Sequence, residues 1–235
     1  MRIFVFMLAF SFSLFAGIYK GVIEPYDKIT IKSEVSGRVV ELDLKDEMRE
    51  VNKKVMVIDH ALESEKLKNY ENKLRFLNEE IKLKKGQYER LKNLVGENRF
   101  TKERYKSEFL NLLMQKQDLL NIIAELRDRI SKKEITVKNL YIKKFYVRKG
   151  EFVNPGEKLM SLEDQRKSRV VIFVDGEDLD LFRKGKFSVD GKKGLFYAEK
   201  IADSTDEKYL SLYRVELVCD EKLPYGKIVE VETEK

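Results

Sequence analysis

The sequence contains one cysteine, Cys219, and one histidine, His60. That scarcity removes the side chains that usually hold zinc, haem or an iron–sulfur cluster, and those that build a Cys/His catalytic site. No methionine cluster or histidine-rich tract marks a copper or silver site. Carboxylates are plentiful, but none is grouped with a base or a phosphate-binding glycine loop, as hydrolysis would need. The chain therefore reads as non-enzymatic, with no metal and no cofactor. Cys219 follows the mostly apolar stretch Val215 to Val218 and reads as a small packed residue. Asp175-Gly176-Glu177-Asp178 has a weak claim on a cation and reads as a solvated turn. A charge of one sign is also lacking. The 47 basic and 41 acidic residues leave a formal +6, interleaved so that no basic stripe tracks a phosphate backbone, which sets nucleic acid aside.

Charge itself is abundant, at 37% of the chain against a usual share of about 25%. Lys, Glu, Leu, Asn and Arg crowd the first half, the bias of long exposed helices. Met1-Arg2 precedes an apolar stretch from Ile3 to Ile18, broken only by Ser11, Ser13 and Gly17. Residues 1–19 are read as a signal peptide or an N-terminal membrane anchor. Leu14 spoils the cleavage pattern before Ala16-Gly17, and the stretch falls slightly short of the roughly 20 residues of a relaxed span, so both readings stay open. Either way, the positive charge before the apolar run places the body outside the cytoplasm.

The chain also repeats itself. Shifted by 104 positions, Lys45-Asp46-Glu47-Met48 falls on Lys149-Gly150-Glu151-Phe152, and Lys53 to Asp59 falls on Glu157 to Glu163. Each half reads as short strands with alternating apolar residues, such as Val39, Leu42 and Leu44 or Tyr146 and Phe152. Turns are expected at Ser36-Gly37 and Asn154-Pro155-Gly156. Neither half can bury its apolar face alone, so the expectation is a small sandwich made of residues 29–60 and 136–165.

The intervening residues 61–135 carry helical periodicity. Leu67, Tyr70, Leu74, Leu77, Ile81, Tyr88, Leu91 and Val95 fall on one seam, with Lys84 its polar exception. Tyr105, Phe109, Leu112, Leu119, Ile123, Leu126 and Ile130 fall on a second, with Lys116 the exception. The two arms are nearly equal, about 35 residues or roughly 50 Å each, which predicts an antiparallel coiled-coil hairpin with its tip near 96–100. Gly96 is the expected helix stop and Thr101 the expected N-cap, with Glu103 in the first turn. Residues 168–235 read as a small β-barrel, with turns at Gly185, Gly191 and Gly194 and strands such as Val170 to Val174.

This order of parts resembles the HlyD-like membrane fusion proteins, the periplasmic adaptors of RND, ABC and MFS efflux pumps and of type I secretion systems. The resemblance spans residues 29–235. It is carried by the leader, Ser36-Gly37-Arg38-Val39-Val40, the stretch from Arg148 through Asn154-Pro155-Gly156 to Leu159, and Leu223-Pro224-Tyr225-Gly226-Lys227. It implies an α+β fold, a split lipoyl-like sandwich interrupted by the hairpin and followed by the barrel.

The resemblance also implies partners and a place. Adaptors that dock on TolC-like outer-membrane channels carry an Arg, a Leu four residues on and a Ser seven beyond that; Arg90, Leu94 and Thr101 stand at those spacings, with Thr in place of Ser. The partners implied are an inner-membrane transporter of RND, ABC or MFS type, a TolC-like channel, and further copies in a hexameric ring, with residence in the periplasm at the inner membrane of a Gram-negative bacterium. Lipoyl carriers bear a modified lysine on the hairpin between their halves; long helices occupy that place here, so a carrier role is not expected. The membrane-proximal domain of larger adaptors is expected to be missing or minimal. The competing reading is an exported coiled-coil scaffold or tether of the envelope that transports nothing.

Overall fold

The computed structural model describes residues 17–94 and 98–234. Most of the expected leader, and Val95, Gly96 and Glu97 at the expected tip, therefore lie outside the described residues. In chain order the elements are β1 (Ile18–Lys32), β2 (Gly37–Leu42), β3 (Arg49–Ile58), α1 (Ala61–Asn93), α2 (Arg99–Lys133), β4 (Glu134–Phe145), β5 (Phe152–Val153), β6 (Lys158–Val174), α3 (Leu179–Arg183), β7 (Phe187–Val189), β8 (Lys192–Lys193), β9 (Tyr197–Thr205), β10 (Tyr213–Cys219) and β11 (Ile228–Thr233). The chain is α+β and divides into two units, one of residues 30–161 and one of residues up to 29 together with 162 onward, the boundary passing through β1 and β6.

In the first unit the strands run in the order β5-β2-β3-β4, each pair antiparallel. The internal repeat has a physical counterpart. Arg38 pairs with Phe152, and the Met48 N–H donates to the Ile142 carbonyl. Moving Arg38 and Met48 on by 104 gives positions 142 and 152, so each pairing is the image of the other under the repeat. Each half thus supplies hydrogen-bonding groups to a strand of the other.

Two readings of this unit need correction. Tyr146 and Phe152 are exposed, while Phe145, Val147 and Val153 are buried: the alternation is right and its phase is off by one, which in a strand exchanges the two faces. The expected turn at Ser36-Gly37 falls earlier, at Glu34-Val35, and Gly37 opens β2. A side chain at Gly37 would run into the Ile58 side chain, so glycine there serves strand packing. Asn154-Pro155-Gly156 is a turn as read. Gly156 adopts φ +87, the Glu157 N–H donates to the Asn154 carbonyl at 3.1 Å, and the Asn154 N–H donates to a Glu157 carboxylate oxygen at 3.0 Å.

The second unit carries two runs of strands, β8-β7-β11-β1 and β6-β10-β9, with β1 beside β6. Ile18 and Tyr19, assigned to the leader from sequence, belong to β1, where they pair with Glu232 and Val231 of β11. A Cβ at Gly21 would strike the Val170 side chain and come within 3.2 Å of the Val171 carbonyl oxygen, so glycine lets β1 lie close on β6. Asp190 and Gly191, at φ 48 and 72, form the two-residue turn between β7 and β8, where a double left-handed conformation matches strand twist. Phe182, Ile172, Val215, Leu217, Val231 and Cys219 sit in one buried core, which places Cys219 among packed apolar groups.

Candidate functional site

The β3–β4 ladder explains where the helical hairpin stands. It runs from Arg49 opposite Ile142 to Val57 opposite Glu134, and the chain passes from its end into α1 on one strand and from α2 on the other. Asp59 Oδ1 accepts from the Ala61 N–H at 3.1 Å and opens α1. His60 hydrogen-bonds Ser64 through Nδ1 at 2.8 Å and faces Glu134 through Nε2 at 3.4 Å. Lys133, buried at the root, donates to the Asp59 carbonyl at 2.7 Å and pairs with Glu63. Burial, the largest single influence, pushes the Glu63 carboxyl up, but the hydrogen bond from Lys133, a backbone hydrogen bond and the positive charges of Lys133 and Arg129 together outweigh it and hold the group below its usual range. Both ends of the hairpin are thus tied to the ladder.

Above the root, Leu77, Leu112, Leu119 and Ile123 are buried between the helices, with Leu67, Tyr70, Leu74 and Ile81 packed on them. The polar exception in the first seam is accounted for. Lys84 pairs with Glu108 of α2 at 2.7 Å and lies 5.8 Å from the centre of the Tyr105 ring. The hydrogen bond to Glu108 raises the Lys84 ammonium and lowers the Glu108 carboxyl. Tyr88 and Phe109 stack near the tip with centroids 6.3 Å apart, and Arg127 pairs with Glu71 at 2.6 Å nearer the root.

At the tip, Arg90 lies in the last turn of α1, exposed, its Nε donating to the Gly86 carbonyl at 3.2 Å. Leu94 is the C-cap of α1 and 52% exposed. Thr101 is half-buried in the first turn of α2 and is not its N-cap. That place belongs to Asn98, whose side chain accepts from the Phe100 N–H at 2.9 Å. Starting at Asn98 gives α2 three more residues and leaves no acid in its first turn; Glu103 instead pairs with Arg99 at 2.8 Å. Thr101 is thereby released from the capping role that would have explained it. Sequence reasoning missed Lys102, which reaches across the tip to the Leu94 carbonyl at 2.8 Å and satisfies the end of α1. A cation just inside the second helix was the only signal available.

Asp178 also departs from its reading. It is 7% exposed and accepts a hydrogen bond from the Tyr19 hydroxyl at 2.8 Å, so the turn is partly buried and pins the start of β1. Burial and the hydrogen bond to Asp178 together push the Tyr19 hydroxyl well above its ordinary range. Among the described residues no group of three or more His, Cys, Asp or Glu side chains could hold a metal ion, and no helix is long and apolar enough to cross a membrane.

No family model and no curated protein matches the sequence. Solved structures do. MacA from Actinobacillus actinomycetemcomitans matches with a TM-score of 0.71 at 15% identity, over 93% of this chain and 78% of that one. The membrane fusion protein Spr0693 from Streptococcus pneumoniae R6 matches at 0.67 and 8% identity, over 93% of this chain and 99% of that one. A candidate efflux transporter from Bacteroides eggerthii matches at 0.65 and 17% identity, over 93% and 68%. At these identities the likeness is one of fold, and the fold is that of the membrane fusion proteins.

Proposed function

We propose that this chain is a periplasmic adaptor that joins an inner-membrane transporter to a TolC-like outer-membrane channel for the export of small molecules. The observation that carries the proposal is the helical hairpin mounted on the β3–β4 ladder, within a fold shared with membrane fusion proteins. Such a hairpin is an arm with a tied root, and Arg90 and Leu94 at the end of its first helix are exposed.

In this reading the repeat-built sandwich is the lipoyl-like part and holds the arm. Arg90, Leu94 and Thr101 supply a cation, an apolar knob and a hydroxyl to the channel. The unit containing β7 to β11 is the barrel that contacts the transporter, of RND, ABC or MFS type. Several copies, six by resemblance, assemble so that the hairpins wall a conduit. Energy and substrate choice belong to the transporter, and the adaptor performs no catalysis. The protein works in the periplasm, held at the inner membrane of a Gram-negative cell.

The test is genetic. Cells lacking the chain are expected to become sensitive to, or to retain, at least one member of a broad panel of toxic compounds, and Arg90→Glu is expected to behave like the deletion while the protein stays folded and abundant. Unchanged export in the deletion strain across the panel would favour the envelope scaffold instead.

A further inference from the structure

Asp178 is a buried carboxylate without a cation. The residue is 7% exposed; its Oδ2 accepts from the Tyr19 hydroxyl at 2.8 Å, and the Thr233 hydroxyl stands 3.4 Å from the same atom. Both neighbours are neutral, and among the described residues no lysine, arginine or histidine pairs with it. The carboxylate does not cap α3 either, although Asp178 is the residue that precedes that helix. A buried charge held by hydroxyls alone is costly, and a cation beside it would offset the cost.

What lies against this carboxylate is the backbone of Gly17. The Gly17 N–H donates to Thr233 Oγ1 at 2.9 Å, and its carbonyl accepts from the Thr233 N–H at 3.0 Å. The Gly17 nitrogen is therefore one hydroxyl away from Asp178. A Cβ at Gly17 would overlap Asp178 Oδ2 and stand 2.9 Å from Cε2 of the Tyr19 ring, so glycine is what lets the backbone come this close.

The same glycine stands where the apolar leader ends. Ala16-Gly17 is the small-residue pair on which a leader cleavage would fall, with Leu14 the one fault in the pattern. Hydrolysis at that bond changes the charge of a single nitrogen. Water supplies the oxygen that turns the Ala16 carbonyl into a carboxylate, the C–N bond breaks, and the Gly17 nitrogen leaves with the protons as an ammonium. An α-amino group titrates near about 8, so this one is a cation at neutral pH. Cleavage thus creates a positive charge at the place where the fold lacks one.

We infer that a leader peptidase cuts the chain between Ala16 and Gly17 and that the new Gly17 ammonium forms a buried ion pair with Asp178, locking the head of β1 into the second unit. The mature chain then stays at the inner membrane through its transporter and not through a span. The inference rests on the adaptor reading only for passage across the inner membrane.

The test uses the full chain expressed in cells and purified from the envelope in mild detergent. N-terminal sequencing and intact mass are expected to show Gly17 as the first residue, and any other first residue would overturn the inference. Ala16→Leu, which puts a large side chain at the cut, is expected to keep the leader attached. Asp178→Asn retains an acceptor for Tyr19, so its effect reads the charge. It is expected to lower the melting temperature of the cleaved chain by about 5 °C and that of the Ala16→Leu chain by less than about 1 °C. Equal losses in the two forms would sink the ion pair. The wild-type chain gives a second reading: acetylation of the Gly17 amine at neutral pH is expected to run about tenfold slower in the folded protein than in urea, and equal rates would contradict the pairing. A full-length chain whose deletion still impairs export leaves the adaptor reading standing and sinks this inference, whereas cleavage at Gly17 with unchanged export does the reverse.

Discussion

The helical hairpin and the unit built from β7 to β11 use apolar residues in opposite ways. The β-rich unit packs Phe182, Phe187, Val215, Leu217 and Val231 into one core with almost no exposure. The hairpin is a two-helix ribbon with a single seam, and beyond Leu77, Leu112, Leu119, Ile123 and Leu126 most of its large apolar side chains are partly or wholly exposed. Two helices offer each other one face apiece, whereas curved strands enclose a volume. Apolar residues in the β-rich unit are thus explained by its own folding, whereas many of those on the hairpin lie outside its seam.

That contrast can be broken by substitution. The largest expected effect is Phe182→Ala, whose ring is 1% exposed and lies 5.2 Å from Phe187: a loss of about 3 to 5 kcal/mol in chemical denaturation of the β-rich unit. Next, Leu119→Ala, 4% exposed in the hairpin seam, is expected to cost about 2 to 3 kcal/mol, read as lost amide-exchange protection in α1 and α2. Gly86→Ala is expected to stabilise α1 by up to about 1 kcal/mol, because Gly86 lies inside the helix with open space where a Cβ would stand. Phe76→Ala, at a ring 66% exposed on α1, is expected to stay within about 0.5 kcal/mol despite removing a whole ring. A loss there as large as at Leu119 would erase the distinction between seam and edge.

The root sharpens the comparison through pH. The Glu63 carboxyl is held low when folded, so its contribution is full above the unfolded value of about 4.3 and is lost as pH falls through the lower folded value. Helix signal followed by circular dichroism is expected to weaken over that acidic range, and Glu63→Gln to flatten the dependence.

Much of this was legible in the sequence, and the failures have physical causes. The hairpin arms could be counted because a heptad seam is a long signal, and the repeat could be found because both halves solve one pairing problem. Tyr146 and Phe152 were placed inward because a two-residue period fixes alternation without phase, which the partner strand decides. Thr101 was taken as the N-cap because Thr is a good cap, but Asn98 is a better one three residues earlier and lengthens the helix. Gly21 carried no local mark, since its reason is the close approach of Val170, far away in sequence. The tip residues Arg90 and Leu94 were placed by spacing alone, and both are exposed at the end of α1.

The most direct test of the central claim is site-specific photo-crosslinking in intact cells from Arg90 and Leu94 at the tip, with Lys73 on the mid-hairpin edge as the comparison. The adaptor account predicts crosslinks from the tip to an outer-membrane channel and none to that channel from Lys73. Crosslinks from the tip only to other copies of this chain would contradict it.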